Sequence, residues 1–264
     1  MSAVINRDKL KIRQAFANAA EHYDDFAHLQ RMVADSLLQK SALTTLQGKV
    51  LDIGCGTGYL TQQLQVLGGY QQLIAFDIAQ PMLQKTQQRL QGVVSYVCGD
   101  ADMLPFQAAS LDSIFSSLAL QWCQHLPTVL QNFRRVLKPG GTLVFATFGT
   151  ETLTELKQAW ATVDQYRHIN DFHTPQQLHA LLPQDEWQNV QISRQVFRSQ
   201  YASVAVLLRE LKGLGAQSVS TGRKPQLTTK AQMQQMFEAY PKINAAGRIA
   251  ASFEIIWVVA EAKL

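Results

Sequence analysis

A short apolar run that stops in glycine constrains this chain more than any other feature. Residues 49–53 read as a buried strand, and Gly54, Gly56 and Gly58 alternate through the turn that follows. Glycine there permits tight backbone angles and lets a ligand lie against the main chain. Residues 59–67 then read as a helix, stopped by Gly68 and Gly69. Strand, glycine turn and helix in that order make a βα unit, the building block of a parallel sheet.

The pattern repeats along the chain. Residues 72–76 read as a strand with Asp77 at its end, and Pro81 suits the first turn of a helix running towards Leu90. Residues 93–97 are β-branched and end at Gly99 and Asp100. Residues 111–117 read as a fourth strand, 127–137 as a helix broken by Lys138-Pro139-Gly140-Gly141, and 142–148 as a fifth strand. Alternation of this kind implies a mostly parallel sheet covered on both faces. Upstream, residues 9–47 are helical by the spacing of Ile12, Phe16, Ala19, Ala20 and Tyr23, and again of Leu29, Met32, Val33, Leu37 and Leu38. Downstream the rhythm changes. Residues 150–166, 201–211 and 228–240 read as helices, Thr174-Pro175 opens another, and 190–196 and 249–259 read as strands.

Composition excludes several classes. Hydrophobic residues are 47% of the 264 and charged residues 17%, so the chain can bury a sizeable core and is not a disordered tail. The net charge is +4 with basic residues scattered, which hints at an acidic partner or substrate but makes no nucleic-acid stripe. Three cysteines, Cys55, Cys98 and Cys123, without CxxC spacing argue against a disulfide framework and a zinc site. No apolar run approaches the ~20 residues of a membrane span, and the N-terminus lacks a signal peptide's apolar stretch. A cytoplasmic location without membrane contact and without a metal is therefore expected.

Two nucleotide sites compete for the glycine turn, and both fail. A dinucleotide fingerprint GxGxxG needs a glycine where the chain has Tyr59, and a phosphate-cradling P-loop needs a lysine that does not follow these glycines. A ligand without phosphates that lies along the same turn, S-adenosylmethionine, remains, beside the plain alternative of a tight βα turn. Asp77, about twenty residues past the loop, is positioned to accept both ribose hydroxyls. Asp100 is placed to accept from the adenine amino group, with the Ala101 backbone N–H nearby. Asp52 precedes the glycines and can orient the loop or the ligand's amino group. Each aspartate alone also suits a helix N-cap, but three at successive strand ends occupy the edge where such sheets bind ligands.

These residues carry a resemblance. Val50-Leu51-Asp52-Ile53-Gly54-Cys55-Gly56-Thr57-Gly58, Asp77, the run Gly99 to Phe106, and Leu137-Lys138-Pro139-Gly140-Gly141 resemble the class I S-adenosylmethionine-dependent methyltransferases over roughly residues 48–148. More of the chain is similar to one family, the malonyl-acyl-carrier-protein O-methyltransferases of biotin synthesis. Ala15-Phe16 to His22-Tyr23 with Leu29-Gln30-Arg31 looks like that family's opening. Leu118-Ala119-Leu120-Gln121-Trp122-Cys123 matches its segment after the fourth strand. Thr152-Leu153 to Trp160, Asn170-Asp171-Phe172, Leu211 to Ala216 and Phe253-Glu254-Ile255-Ile256 also fit. The chain departs at Ala251-Ser252-Phe253, where the family more often has a Thr-Tyr pair.

The resemblance implies an α/β fold: a class I methyltransferase, Rossmann-like, with a seven-stranded, mostly parallel sheet and a helical cap. Residues 249–259 would supply its one antiparallel strand. It implies a single domain over 1–264, with an N-terminal helical cap (1–47), an S-adenosylmethionine-binding core (48–148), and cap helices with final strands (149–264). The cofactor site would comprise Asp52, Gly54, Gly56, Gly58, Asp77, Ile78, Asp100, Ala101 and Leu118. The reaction implied is methyl transfer to the free carboxylate of a malonyl thioester on acyl carrier protein, with malonyl-coenzyme A as the alternative carrier. The product starts pimeloyl synthesis for biotin, and S-adenosylhomocysteine leaves.

Residue types suit that chemistry. A malonyl carboxylate is ionised at pH 7, so no general base is required. Positioning is the main task, and an aromatic, water-poor pocket favours meeting of sulfonium and carboxylate. Tyr23 and Trp122 are expected to wall the acceptor site, with Gln121 or the Tyr23 hydroxyl orienting the acceptor. Arg198, Arg209, His168 and His173 are candidate partners for its carboxylate. Arg194, Arg198, Arg209, Lys212, Arg223 and Lys224 are a candidate docking face for an acidic carrier. The rivals are another small acceptor, such as a quinone precursor or a free organic acid, and a non-catalytic S-adenosylmethionine-binding protein. A nucleic-acid methyltransferase is disfavoured, because the chain has no [DN]PP[YFW] motif and no Pro-Cys pair at Cys123.

Overall fold

The computed structural model describes residues 7–216 and 228–263. Three helical segments lead, α1 (Arg7–Ala19), α2 (Tyr23–Phe26) and α3 (His28–Ser41). Then come β1 (Lys49–Ile53), α4 (Tyr59–Leu67), β2 (Gln72–Asp77), α5 (Gln80–Arg89), β3 (Ser95–Cys98) and β4 (Leu111–Ser117). A single 3-10 turn (Leu120–Trp122) precedes α6 (Leu126–Val136) and β5 (Leu137–Phe148). The chain continues through α7 (Thr154–Ala161), α8 (Pro175–Ala180), β6 (Trp187–Tyr201), α9 (Val204–Gly213), α10 (Lys230–Ala239) and β7 (Ile249–Ala262).

Among the described residues the strands form one seven-stranded sheet in the order β3-β2-β1-β4-β5-β7-β6. The pairs from β3 to β5 are parallel, and β7 runs antiparallel to both neighbours. This is the class I methyltransferase architecture, with β7 as the antiparallel strand that the resemblance implies. The strict alternation of side chains along a strand divides the core into two. Val50, Leu73, Ala75, Val144 and Ala146 pack under α3, α4, α7, α9 and α10. Leu51, Ile74, Phe76, Leu143 and Phe145 pack under α6 and α8. On α6, Leu126, Val129, Leu130, Phe133 and Val136 recur at helical spacing and are all buried.

The structure departs from the periodicity in several places, each for a tertiary reason. The long leading helix is broken at residues 20–22 and again at Ala27. The break lets Asp24 accept from the Thr57 hydroxyl at 2.7 Å and pair with Arg89, contacts a straight helix would forgo. The third strand starts at Ser95, and Val93 stands almost fully exposed. β5 begins directly at Leu137, where Leu111 pairs with Leu137 before the register shifts. Residues 150–153 are a turn, not helix, because Leu153 N–H and the Thr152 hydroxyl bond to the Ser252 and Glu254 carbonyls of β7. β6 is longer than its apolar pattern because β7 pairs along it as far as Tyr201.

The fold sets a stability expectation. Phe133 is fully buried between α6 and the sheet. Phe133→Ala should lower the unfolding free energy by about 3–5 kcal/mol in a urea titration, through lost burial and an unfilled cavity.

Candidate functional site

The parallel strands bring Ile53, Asp77, Cys98 and Ser117 to the same edge of the sheet. Their following loops surround a cavity of about 760 Å³, counted out to its open mouth. Gly54, Gly56, Asp77, Ile78, Asp100, Ala101 and Leu118 line its floor and sides. Tyr23 of α2 and Trp122 of the 3-10 turn close it from above. The structure thus brings together nine of the twelve residues expected at the site. Gly58 and Gln121 do not line the cavity, and Asp52 lines an adjoining one.

Asp77 organises the floor. Its Oδ2 accepts the Gly56 N–H at 2.9 Å and its Oδ1 accepts the Ala79 N–H at 2.8 Å. The Gly54 N–H bonds to the Phe76 carbonyl at 2.7 Å, so the turn hangs from the end of β2. Gly54 has φ +69°, and a Cβ there would lie 2.2 Å from that of Ala119. Gly56 has φ +57° and faces open space, so a side chain there would enter the cavity. Gly58 serves the turn instead, pressed against Thr86 of α5. Each Asp77 oxygen keeps a lone pair for a further donor. Burial pushes the Asp77 carboxyl up to about 6.

The adjoining chamber is about 430 Å³ on the same measure and shares Tyr23, Gly54, Gly56 and Ser117 with the main cavity. Asp52 Oδ2 accepts the Thr61 hydroxyl at 2.6 Å. Asp52 Oδ1, Gln30 Oε1 and Ser117 Oγ are buried without a hydrogen-bond partner among the described residues, and all three residues line this chamber. Three acceptors converging on one space fit a group with several N–H donors. Arg31 lines the same chamber and adds a cation. Burial pushes the Asp52 carboxyl up to about 7.

The roof is aromatic. Phe16 meets Trp122 edge-on with ring centroids 5.4 Å apart. Burial raises the Tyr23 hydroxyl well above the usual phenol range, with Asp77 and Asp24 adding to it. Tyr23 therefore keeps its proton and can donate. Leu118 adopts a left-handed backbone, φ 51°, as the chain leaves β4, which is strained for a branched side chain. Gln121 folds back, its amide donating to the Leu118 carbonyl at 2.6 Å.

Lys9 of α1 is a cavity residue that sequence reading passed over. Its ammonium pairs with both Asp100 and Asp102. Burial works against its charge, but the two carboxylates outweigh this and raise its pKa. Lys9, Ile12 and Phe16 recur at helical spacing and all line the cavity, which is the signal that was available. Among the described residues lining the main cavity, Lys9 is the one cation. His168 stacks on Trp160 at 3.8 Å and bonds to Asp164, and His173 is half-buried. Arg198 and Arg209 are exposed. None of these four lines the main cavity.

A family model described as a methyltransferase domain matches residues 51–145. The YcgJ protein of Bacillus subtilis superposes with a TM-score of 0.63 at 17% identity, over 88% of this chain and 98% of that one. Phosphoethanolamine N-methyltransferase 2 of Haemonchus contortus, solved with S-adenosyl-L-methionine, gives 0.61 at 19% identity, over 99% of this chain and 60% of that one. The matched model marks a methyltransferase domain over residues 51–145, and the superpositions agree on its fold. The full-length relatives narrow the class. The malonyl-[acyl-carrier protein] O-methyltransferase of Methylococcus capsulatus is 36% identical over 258 residues, covering 96% of this chain and 94% of that protein. The biotin biosynthesis bifunctional protein BioHC of Cellvibrio japonicus is 39% identical over 252 residues, and this chain spans half of its length. The chain belongs to the malonyl-[acyl-carrier protein] O-methyltransferase family.

The two buried aspartates predict a pH signature. Both have folded pKa values above the ordinary carboxylate value, so ionising them costs stability that is absent below about pH 4 and grows as pH rises to about 7. Asp52→Asn, which keeps an oxygen for the Thr61 hydroxyl, should therefore stabilise the ligand-free protein by about 1–3 kcal/mol at pH 7.5, whereas Asp77→Asn should not, because an amide can accept only one of the Gly56 and Ala79 N–H groups. The gain over the natural chain should vanish near pH 4, read by urea unfolding at both values.

Proposed function

We propose that this chain methylates the free carboxylate of a malonyl thioester carried on acyl carrier protein, using S-adenosylmethionine, in the step that starts pimeloyl synthesis for biotin. The acceptor is inferred from the name of the Methylococcus relative, whose whole length this chain nearly matches. One observation carries the donor: Asp52 Oδ1, Gln30 Oε1 and Ser117 Oγ stand buried and unpartnered beside the glycine turn. A methionine ammonium supplies the donors they lack. Arg31 pairs with the carboxylate of the same amino acid, Asp77 takes the ribose hydroxyls, and Asp100 with the Ala101 N–H takes the adenine edge. Gly54, Gly56, Ile78 and Leu118 complete the walls. S-adenosylmethionine, when bound, supplies an electrophilic methyl on a sulfonium.

The chain's own part is positioning and exclusion of water. The acceptor carboxylate is already charged, so no residue needs to take a proton from it. The Tyr23 hydroxyl, held protonated by burial, donates to the carboxylate and orients it. Trp122 and Phe16 keep that end apolar, and an aromatic face near a sulfonium adds cation–π attraction. Opposite charges that cancel as the groups meet are favoured by such surroundings. Gln121 supports the Leu118 carbonyl and so acts through the loop.

We place the protein in the cytoplasm. Cys55, Cys98 and Cys123 are free thiols, which a reducing compartment preserves. Among the described residues no helix is long and apolar enough to cross a membrane.

The test is transfer from methyl-labelled S-adenosylmethionine to malonyl-acyl carrier protein, with malonyl-coenzyme A and unloaded carrier in parallel. Base-labile label on the malonyl-loaded carrier is expected. Label on a free organic acid or quinone precursor alone, or tight S-adenosylmethionine binding without transfer, would replace the reading. Tyr23→Phe should lower kcat/KM at least tenfold with S-adenosylmethionine affinity intact, as loss of one oriented donor does. Asp77→Ala should weaken S-adenosylmethionine binding at least tenfold by calorimetry, since two ribose hydrogen bonds go with the carboxylate.

A further inference from the structure

The cations that follow the fifth strand in sequence differ in their surroundings. Arg194 is engaged by Glu151 and Glu254 at 2.8 and 2.9 Å. Arg198 lies on β6, and Arg223 and Lys224 fall outside the described residues. Arg209 and Lys212 stand apart from these. They sit three residues apart on α9, hence on neighbouring positions of one helix face. Both line an open groove of about 1390 Å³ between α9 and the corner where α1 meets α2. Neither forms an ion pair with a described residue. The opposite wall is formed by the small side chains of Ala15, Asn18 and Ala19 and carries one carboxylate, Asp25, which lies 3.4 Å from the His22 ring.

This groove and the main cavity share a wall. Ala19 faces the groove and packs in one cluster with Phe16, Tyr23 and Met82, which line the cavity. The far wall is seated firmly as well. Gly213, at the end of α9, approaches the Phe26 ring so closely that a Cβ would lie 2.2 Å from it. Phe26 ends the helix that Tyr23 begins. A macromolecule resting on α9 therefore sits against the helix that carries the proposed acceptor-orienting hydroxyl.

We infer that this groove is the docking surface of the acyl carrier protein, taking the acidic face that bears its phosphopantetheine arm. The inference rests on the carrier-borne acceptor proposed above and assigns where the carrier sits. The arm's phosphodiester is a single anion, which Arg209 and Lys212, neither ion-paired with a described residue and one helical turn apart, can hold. Ala15, Ala19 and Gly213 line the groove without large side chains. The surrounding acidic surface of the carrier then meets a protein of net charge +4.

The experiment measures binding apart from turnover. Fluorescently labelled malonyl-carrier is titrated with the full chain and S-adenosylhomocysteine, at low and at moderate salt. Arg209→Glu with Lys212→Glu should raise Kd at least tenfold and flatten the salt dependence. The neutral pair Arg209→Gln with Lys212→Gln, which leaves the buried face of α9 intact, should raise it at least threefold with an unchanged Tm. Lys49→Glu, exposed at the opposite edge of the sheet, should change it less than twofold. An unchanged Kd in the groove variants, or an equal loss in Lys49→Glu, would overturn the groove. Methyl transfer to the carrier-free malonyl thioester of N-acetylcysteamine separates the two proposals. Normal transfer to it with groove-independent carrier binding defeats the docking surface alone. Groove-dependent carrier binding with transfer to neither thioester defeats the acceptor reading and leaves the docking surface standing.

Discussion

The bond between the Asp77 carboxylate and the Gly56 N–H holds the working edge of this protein together. It fastens the glycine turn after β1 to the end of β2. The Phe76 carbonyl, which accepts from Gly54 and Cys55, and the Thr86 hydroxyl, which donates to the Gly56 carbonyl, support the same turn. The clasp needs a carboxylate in a buried place, and burial raises its pKa. The carboxylate accepts two backbone N–H groups, those of Gly56 and Ala79, which an amide with one acceptor oxygen could not match, and the same two oxygens are available for a further duty. The geometry supplies that duty, because both oxygens retain a free lone pair beside an open cavity.

Everything else at the site follows from where the sheet reverses. β1 pairs with β2 on one side and with β4 on the other, so the loops after β1 and β4 diverge to opposite faces. The gap left at their ends is where open α/β sheets receive ligands. Here it becomes two connected chambers. One is polar, with Asp52, Gln30 and Ser117 unpartnered. The other is mostly apolar, floored by glycine and roofed by Phe16, Tyr23 and Trp122. The leading helices complete both, and ion pairs from Lys9, Lys85 and Asp24 tie them down.

Much of this was legible in the residues. Lys49–Ile53, Tyr59–Leu67 and Leu111–Ser117 match the strand and helix bounds expected from pattern alone, because each is flanked by strong breakers or caps. Asp77 and Asp100 at successive strand ends point to one edge of the sheet by position alone. Less visible were elements whose limits depend on a distant partner. β6 runs well past its apolar stretch because β7 hydrogen-bonds it, and the helix expected after β5 loses its first turn to the same strand. Lys9 and Gln30 are not among the expected site residues for a related reason, since an isolated polar residue on a helix looks like surface until another element covers it.

By itself the sequence determined the alternation of strands and helices, the glycine turn and the three acidic strand ends. These are local matters of periodicity, backbone freedom and residue type, and they fix the class of ligand edge the chain can build. Only the tertiary structure decided which groups meet there. It turned Gln121 back towards Leu118, spent Arg194 on Glu151 and Glu254, and brought Gln30 beside Asp52 and Ser117. Those outcomes depend on contacts between residues far apart in the chain, whose pairing is set by packing and by the need to satisfy buried polar groups, and no local pattern encodes it.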